Sequence, residues 1–293
     1  MRKKLKLILL VSEGHSGSTL IDLVMDSHSK IAGVGELSHY CKHLPTDEPC
    51  SCGERLKNCS FWQKVFKNID CSKLKIFYRS GVNFLLNKKK YLYYAGKEKE
   101  FNADEYVRLI EKVYKNILFY SGKEVVFDSS KDPDRAEAII RFGKDLDIVL
   151  LHLVRNGKGV SYSNIRLGRS SFRFMKKWLF LNLKIEIIKL RNRKVKNIFV
   201  SYEDFTKNQK EVLCYILSSF DLLFEPEMLN IRNYTHHQPG GNFKLRITEK
   251  SSIIKTDEVW KTKMSIKDKV VFNTLFGWLN LFYKIKVKIN YGK

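Results

Sequence analysis

Six residues, Gly14-His15-Ser16-Gly17-Ser18-Thr19, hold the densest chemistry in the sequence. They follow an apolar run and open a helix-like stretch at 20–27. Glycines let a turn approach a ligand closely, and backbone N–H groups at a helix start point toward an anion. Ser16, Ser18 and Thr19 add hydroxyl donors. The pattern suits either a phosphate cradle or a plain structural turn. It is not a Walker A loop, because the lysine of that motif is missing. A second group begins at Arg155, where the apolar run 148–154 ends, and Ser163 follows it eight residues on. A strand-end guanidinium can fork onto phosphate oxygens, and a serine two turns into the next helix can close the other side. Taken singly, the two residues read as a surface arginine and a helix serine.

Such turns need a rigid frame. Runs at 5–12, 124–127, 148–154 and 197–201, with a further strand near Ala32, are short and nearly continuous in apolar residues. That suits strands of a parallel sheet buried on both faces. Helical patterns lie between them. Asp132-Pro133-Asp134 starts one, with proline early and acids in the first turn. Phe172, Met175, Leu179, Leu183, Ile187 and Leu190 recur at helical spacing as one apolar face. Ser265 and Asp268 resemble a capping box ahead of a stripe of Val271, Leu275, Trp278 and Phe282. The alternation predicts an α/β fold with a mostly parallel central sheet and helices on both faces. Residues 41–122 lack a clear strand and read as a largely helical, Cys-containing insertion within one domain spanning 1–293.

More blocks follow in order: Gly35-Glu36, Phe127-Asp128-Ser129-Ser130-Lys131-Asp132-Pro133, Tyr202-Glu203-Asp204, and Gly240-Gly241-Asn242-Phe243-Lys244-Leu245-Arg246. With the two turns, they make a sequence that resembles the sulfotransferase family using 3′-phosphoadenosine 5′-phosphosulfate (PAPS), from about residue 5 to 291. The resemblance implies a three-layer P-loop-like fold and transfer of a sulfuryl group from PAPS to an acceptor hydroxyl, with no metal. It implies that His15, Ser16, Gly17, Ser18 and Thr19 cradle the 5′-phosphosulfate. Arg155 and Ser163 would hold the 3′-phosphate, and Tyr202 would contact the adenine. Gly241, Asn242 and Arg246 resemble a late loop that closes over the nucleotide, with Arg246 reaching a phosphate. Glu36 falls where related members place a catalytic carboxylate, the base for the acceptor hydroxyl. His28, His39 and Asp128 are the other bases to weigh. Lys131 matches a lysine that contacts the transferring sulfuryl group. His15 stands where the family usually has Arg or Lys. Either its protonated ring steadies the departing oxygen, or it only lines the turn and another cation, such as Lys131, compensates.

The chain has 293 residues, with 54 Lys and Arg against 31 Asp and Glu, a net charge of +23. That excess points to an anionic partner. Residues 155–196 hold 13 of the basic residues and a single acid, Glu186. A few can touch a nucleotide. The rest form a solvated face or meet an acidic or membrane-bound acceptor. No aromatic–basic stacking motif points to nucleic acid. No apolar run reaches the roughly 20 residues of a membrane span, and the apolar stretch 7–11 is too short for a signal peptide. A cytoplasmic protein is expected, with peripheral contact to an anionic membrane or acidic glycan as its furthest reach. Five of the six cysteines lie from Cys41 to Cys71, and Cys50-Ser51-Cys52 does not match common zinc spacings. Reduced thiols packing a small subdomain are expected, with a metal or a disulfide as alternatives. His236-His237 reads as a loop near the acceptor rather than a metal pair. Two other classes stay open: a nucleotide-dependent phosphotransferase, disfavoured by the missing lysine, and a non-catalytic nucleotide-binding relative, kept open by His15.

Overall fold

The computed structural model describes residues 4–46, 48–74, 92–93, 99–100, 103–248 and 254–290. Among the described residues seven strands run in chain order: β1 Leu5–Val11, β2 Ile31–Gly33, β3 Leu92–Tyr93, β4 Lys99–Glu100, β5 Val125–Lys131, β6 Leu146–Val154 and β7 Lys196–Ser201. Five form an all-parallel central sheet in the order β2-β5-β1-β6-β7, with helices around it. These are the five strands the apolar runs predict. β1 is buried along almost its whole length, as are the inner residues of β5 and β6, because helices cover both faces of a parallel sheet. β2 pairs in register with β5, Ile31 opposite Val125 and Gly33 opposite Phe127.

The insertion has helices at Ser60–Val65 and Ala103–Ser121, and it also holds the two-residue strands β3 and β4, paired antiparallel. The sequence pattern gives no sign of that hairpin. Other parts of the insertion, at 75–91, 94–98 and 101–102, lie outside the described residues.

By its contacts the chain divides into two compact units. The first is Met1–Leu10, Thr19–Leu150 and Glu225–Ser252; the second is Val11–Ser18, Leu151–Phe224 and Ile253–Lys293. In the first unit, Asp132 caps the Pro133–Phe142 helix by accepting from the N–H groups of Asp134 and Arg135. In the second, Val154, Val160, Met175, Trp178, Phe199, Phe272, Phe276, Leu279 and Tyr283 make one core cluster. Ser265 caps the Ile266–Leu275 helix as its sequence predicts, accepting from the Asp268 N–H at 3.0 Å.

Two helix faces differ from their sequence stripes. The Ser171–Arg191 helix buries Met175, Trp178, Asn182, Ile185 and Ile188. Phe172, Ile187 and Leu190 of the expected face are 46%, 41% and 60% exposed. The last stretch breaks at Gly277 into two helices, Ile266–Leu275 and Gly277–Asn290. There Phe272, Phe276, Leu279 and Tyr283 are buried, while Leu275, Trp278 and Phe282 of the expected stripe are exposed. Each helix carries two neighbouring apolar faces, and only one of them packs into the core.

Candidate active site

In the central sheet β1 lies beside β6, and the chain leaves the two strands toward opposite edges, to β2 and to β7. The carboxyl ends of two such strands form the crevice where open α/β sheets bind ligands. The residues that follow β1 and β6 here belong to the second unit. His15 and Gly17 are both in the left-handed region, at φ 62° and 90°. A Cβ on Gly17 would overlap the Tyr202 ring, so only glycine fits. Ser16 and Ser18 are buried at the turn. Arg155 is 5% exposed. Its Nη1 donates to the His15 carbonyl at 2.9 Å, and its Nη2 donates to the Asp257 carbonyl at 2.8 Å and pairs with Asp257 Oδ2 at 3.0 Å. The guanidinium lies 4.7 Å from the Tyr202 ring centroid. Tyr202 Oη accepts from the Asp257 N–H at 3.0 Å. A Cβ on Gly159 would come within 2.9 Å of Arg155 Nε and 3.2 Å of the Trp260 ring. Ser163, one turn on, donates to the Gly159 carbonyl at 2.9 Å. His15, Gly17, Arg155 and Tyr202 are thus brought together, with Ser163 on the adjoining helix. Asp257 is the carboxylate that holds Arg155.

The first unit assembles a different group. Glu36 follows β2 and opens a short turn, Leu37–His39. One carboxylate oxygen pairs with Lys131 Nζ, and the other meets His39 Nδ1 at 2.8 Å. Burial pushes the Glu36 pKa up, but the His39 hydrogen bond and the Lys131 charge outweigh it and hold the carboxyl at about 2. Lys131 ends β5 at φ 67°. A side-chain-bearing residue is strained there, so the site's lysine, like His15, is held in an unfavourable backbone. Gly240 packs on Glu36, since a Cβ there would stand 3.0 Å from the Glu36 Cβ. Gly241, at φ 104°, sits against Thr19, and Thr19 Oγ1 accepts from the Asn242 N–H at 3.0 Å. Glu36 and Thr19 therefore share the late loop as a neighbour, and Lys131 is joined to it through Glu36.

Several sequence candidates prove to be framework. Arg246, expected to reach a phosphate, is held here by framework contacts. It is 5% exposed, and its Nη1 donates to the Gln238 carbonyl at 2.8 Å and to Pro49 O and Ser51 Oγ, each at 3.3 Å. Asp128 is fully buried on Arg135 at 2.9 Å and accepts from Tyr114 Oη at 2.6 Å. It also accepts from the Ser130 N–H at 2.9 Å, while Ser130 Oγ accepts from the Ser38 N–H at 3.0 Å. With both carboxylate oxygens taken up by these partners, it fixes the strand end that carries Lys131. His28 is buried, its Nδ1 accepting from the Lys30 N–H at 3.0 Å. The His236-His237 pair divides. His236 Nδ1 bonds Asp26 Oδ2 at 2.6 Å, and His237 Nδ1 turns to Cys59 Sγ at 3.3 Å. Asp22 went unnoticed in the sequence. It is buried, burial pushes its pKa well up, it accepts from the Gly35 N–H at 3.1 Å, and it bonds the Gln238 amide. An acid on the inner face of a leucine-rich helix was the available signal.

No protein-family model matches the chain, and no curated protein is similar in sequence. Solved structures are similar. The sulfotransferase domain of the Synechococcus PCC 7002 olefin synthase aligns with 94% of this chain and 96% of its own at a TM-score of 0.58 and 17% identity. The sulfotransferase domain of the curacin biosynthetic pathway aligns with 94% and 98% at 0.49 and 17%. Mycobacterium tuberculosis sulfotransferase STF1 aligns with 80% and 72% at 0.45 and 10%. The chain has the sulfotransferase-type α/β fold.

Proposed function

We propose that the chain is a sulfotransferase that moves a sulfuryl group from PAPS to an acceptor hydroxyl. The arrangement around Arg155 carries the reading. A buried guanidinium stacks on Tyr202 beside a left-handed Gly/Ser turn, on the sheet order where α/β folds take anionic ligands. In this reading the 3′-phosphate displaces Asp257 from Arg155, with Ser163 as a second donor. Ser16, Gly17, Ser18 and Thr19 take the 5′-phosphosulfate. The acceptor oxygen bonds sulfur, the bond from sulfur to the adenosine bisphosphate breaks in line, and Glu36 receives the hydroxyl proton. Lys131 then exchanges its carboxylate partner for the charge growing on the transferring group. Glu36 is ionised at neutral pH, so it is ready to accept a proton. Its resting pKa is low partly because Lys131 is paired with it, so passing Lys131 to the transferring group makes Glu36 a stronger base as the reaction proceeds. The acceptor is a saccharide, a peptidyl or lipid-linked hydroxyl, or a small metabolite, presented at an anionic surface.

Calorimetry with adenosine 3′,5′-bisphosphate tests the donor half. The wild type should bind it. Arg155→Ala should lose at least about tenfold in affinity, the worth of one charge-assisted contact at ~1.5–3 kcal/mol. Absence of binding by the folded wild type would sink the reading. A screen of acceptors with labelled PAPS then identifies the second substrate.

A further inference from the structure

The loop 49–59 and the segment 236–246 bring together four side chains that the proposed chemistry does not use. The ligand atoms of Cys50, Cys52, Cys59 and His237 all lie within 4.8 Å of one another. Cys52 Sγ is 3.8 Å from Cys59 Sγ, and Cys59 Sγ is 3.3 Å from His237 Nδ1. A tetrahedral ion bound at about 2.3 Å from sulfur and about 2.0–2.1 Å from nitrogen has S–S edges of about 3.8 Å and S–N edges of about 3.6 Å. The Cys52–Cys59 and Cys59–His237 spacings lie close to those edges, and the remaining pairs need only close by up to about 1 Å around an ion. Cys50 and Cys59 are 0% and 1% exposed, while Cys52 and His237 are partly exposed.

We propose that Cys50, Cys52, Cys59 and His237 hold a structural zinc ion. Soft thiolate donors with one imidazole select zinc over magnesium or calcium, and four protein ligands leave no open position for catalysis. The second layer is in place. Phe61 stacks on the His237 ring with centroids 4.8 Å apart, and Trp62 Nε1 donates to the His237 carbonyl at 2.6 Å. A divalent ion with three thiolates carries a net charge of −1. That gives a reason for Arg246, a buried cation bonded to Pro49 and Ser51, the two neighbours of Cys50. The ion would pin the 49–59 loop to the segment whose Gly240 packs on Glu36 and whose Asn242 bonds Thr19. Its role is positioning. Three cysteines and a histidine far apart in sequence explain why CxC spacing alone gave no zinc signal.

The test is metal content, which does not depend on donor use. The full chain, purified with a thiol reductant and no chelator, should carry about one zinc per chain by plasma mass spectrometry. Stripped protein refilled with Co²⁺ should show thiolate-to-cobalt charge transfer and the intense d–d bands of a tetrahedral site. Cys59→Ser and His237→Ala should lose the ion. Cys214→Ser, an exposed thiol elsewhere, should keep it. If the ligand variants do not fold, the wild-type measurements decide alone. A folded wild type that holds no zinc and takes up no Co²⁺ overturns the proposal. So does an intact mass two hydrogens low that maps to a Cys52–Cys59 disulfide.

Discussion

At the scale of the residue, Glu36 is the carboxylate with most to lose. Its pKa falls from an ordinary 4.5 to about 2 because His39 and Lys131 together overcome burial. A carboxyl lowered on folding adds stability that is full above its unfolded value and is lost as pH drops through its folded value. The window runs from pH 4.5 down to about 2, and a shift of this size is worth at most about 3 kcal/mol. Denaturant titrations of wild type and Glu36→Gln at pH 7 and pH 3 should show the wild type losing more of its stability on acidification. Equal losses would mean that the Lys131 and His39 contacts do not hold the charge. The same variant separates catalysis from framework. If Glu36 takes the acceptor proton, Glu36→Gln should cut kcat by roughly 10²–10⁴. Affinity for adenosine 3′,5′-bisphosphate should stay within about twofold, because none of the nucleotide contacts assigned to Arg155 and Tyr202 involves Glu36.

At the scale of the element, the 14–19 turn separates two glycines of different standing. A Cβ on Gly14 meets nothing within 4 Å, whereas one on Gly17 overlaps the Tyr202 ring at φ 90°. Gly14→Ala should leave nucleotide binding and thermal stability near wild type. Gly17→Ala should displace Tyr202 from Arg155 and weaken the nucleotide by tenfold or more, read by calorimetry, with about 1–3 kcal/mol of strain or lost stability. Equal behaviour of the two variants would count against the turn as the donor cradle. This turn was legible in the sequence because its elements are local: an apolar strand, two glycines, three hydroxyls and a helix start. The five parallel strands were legible for the same reason, as were the Asp132 and Ser265 caps. What escaped was non-local. Asp128, Tyr114 and Arg135 form their buried network only when helix and strand pack. His237 finds Cys59 across 178 residues. Arg246 looked like a ligand because a guanidinium in a glycine loop gives no sign of which carbonyls it will meet. Helix periodicity also left the buried face open, because the Ser171–Arg191 and Gly277–Asn290 helices are apolar on two adjacent sides.

At the scale of the whole molecule, those second apolar faces change the meaning of the charge. Within the second unit, Trp278, Leu281, Phe282 and Ile285 are 54%, 58%, 47% and 52% exposed at i, i+3, i+4 and i+7 of one helix. Phe180 and Leu190 are exposed at 63% and 60% on the Ser171–Arg191 helix. Residues 155–196 carry 13 basic residues against Glu186, and residues 259–293 carry eight lysines against Asp268. Glu186 is already neutralised by Lys189 at 3.1 Å and Lys286 at 3.2 Å, so it does little to offset the field. No described helix is long and apolar enough to cross a membrane. An apolar stripe with a tryptophan, set among lysines, has the composition expected of a helix that lies in an anionic lipid interface. Each lysine or arginine near such a surface contributes about 1 kcal/mol, screened beyond a Debye length. A neutral sugar or protein would use the apolar stripe alone and an acidic glycan the charge alone; we propose anionic lipid, which would use both, as the partner to test first. The expected result is cosedimentation with phosphatidylglycerol vesicles, weak binding to phosphatidylcholine vesicles, and loss of binding as salt rises. Trp278→Ser with Phe282→Ser should release the protein from anionic vesicles while leaving its affinity for adenosine 3′,5′-bisphosphate unchanged, since neither residue is among those assigned to the donor. Failure to bind anionic vesicles would reject the lipid surface. A concentration-dependent dimer that the same two substitutions dissolve would reassign the stripe to a second copy of the chain.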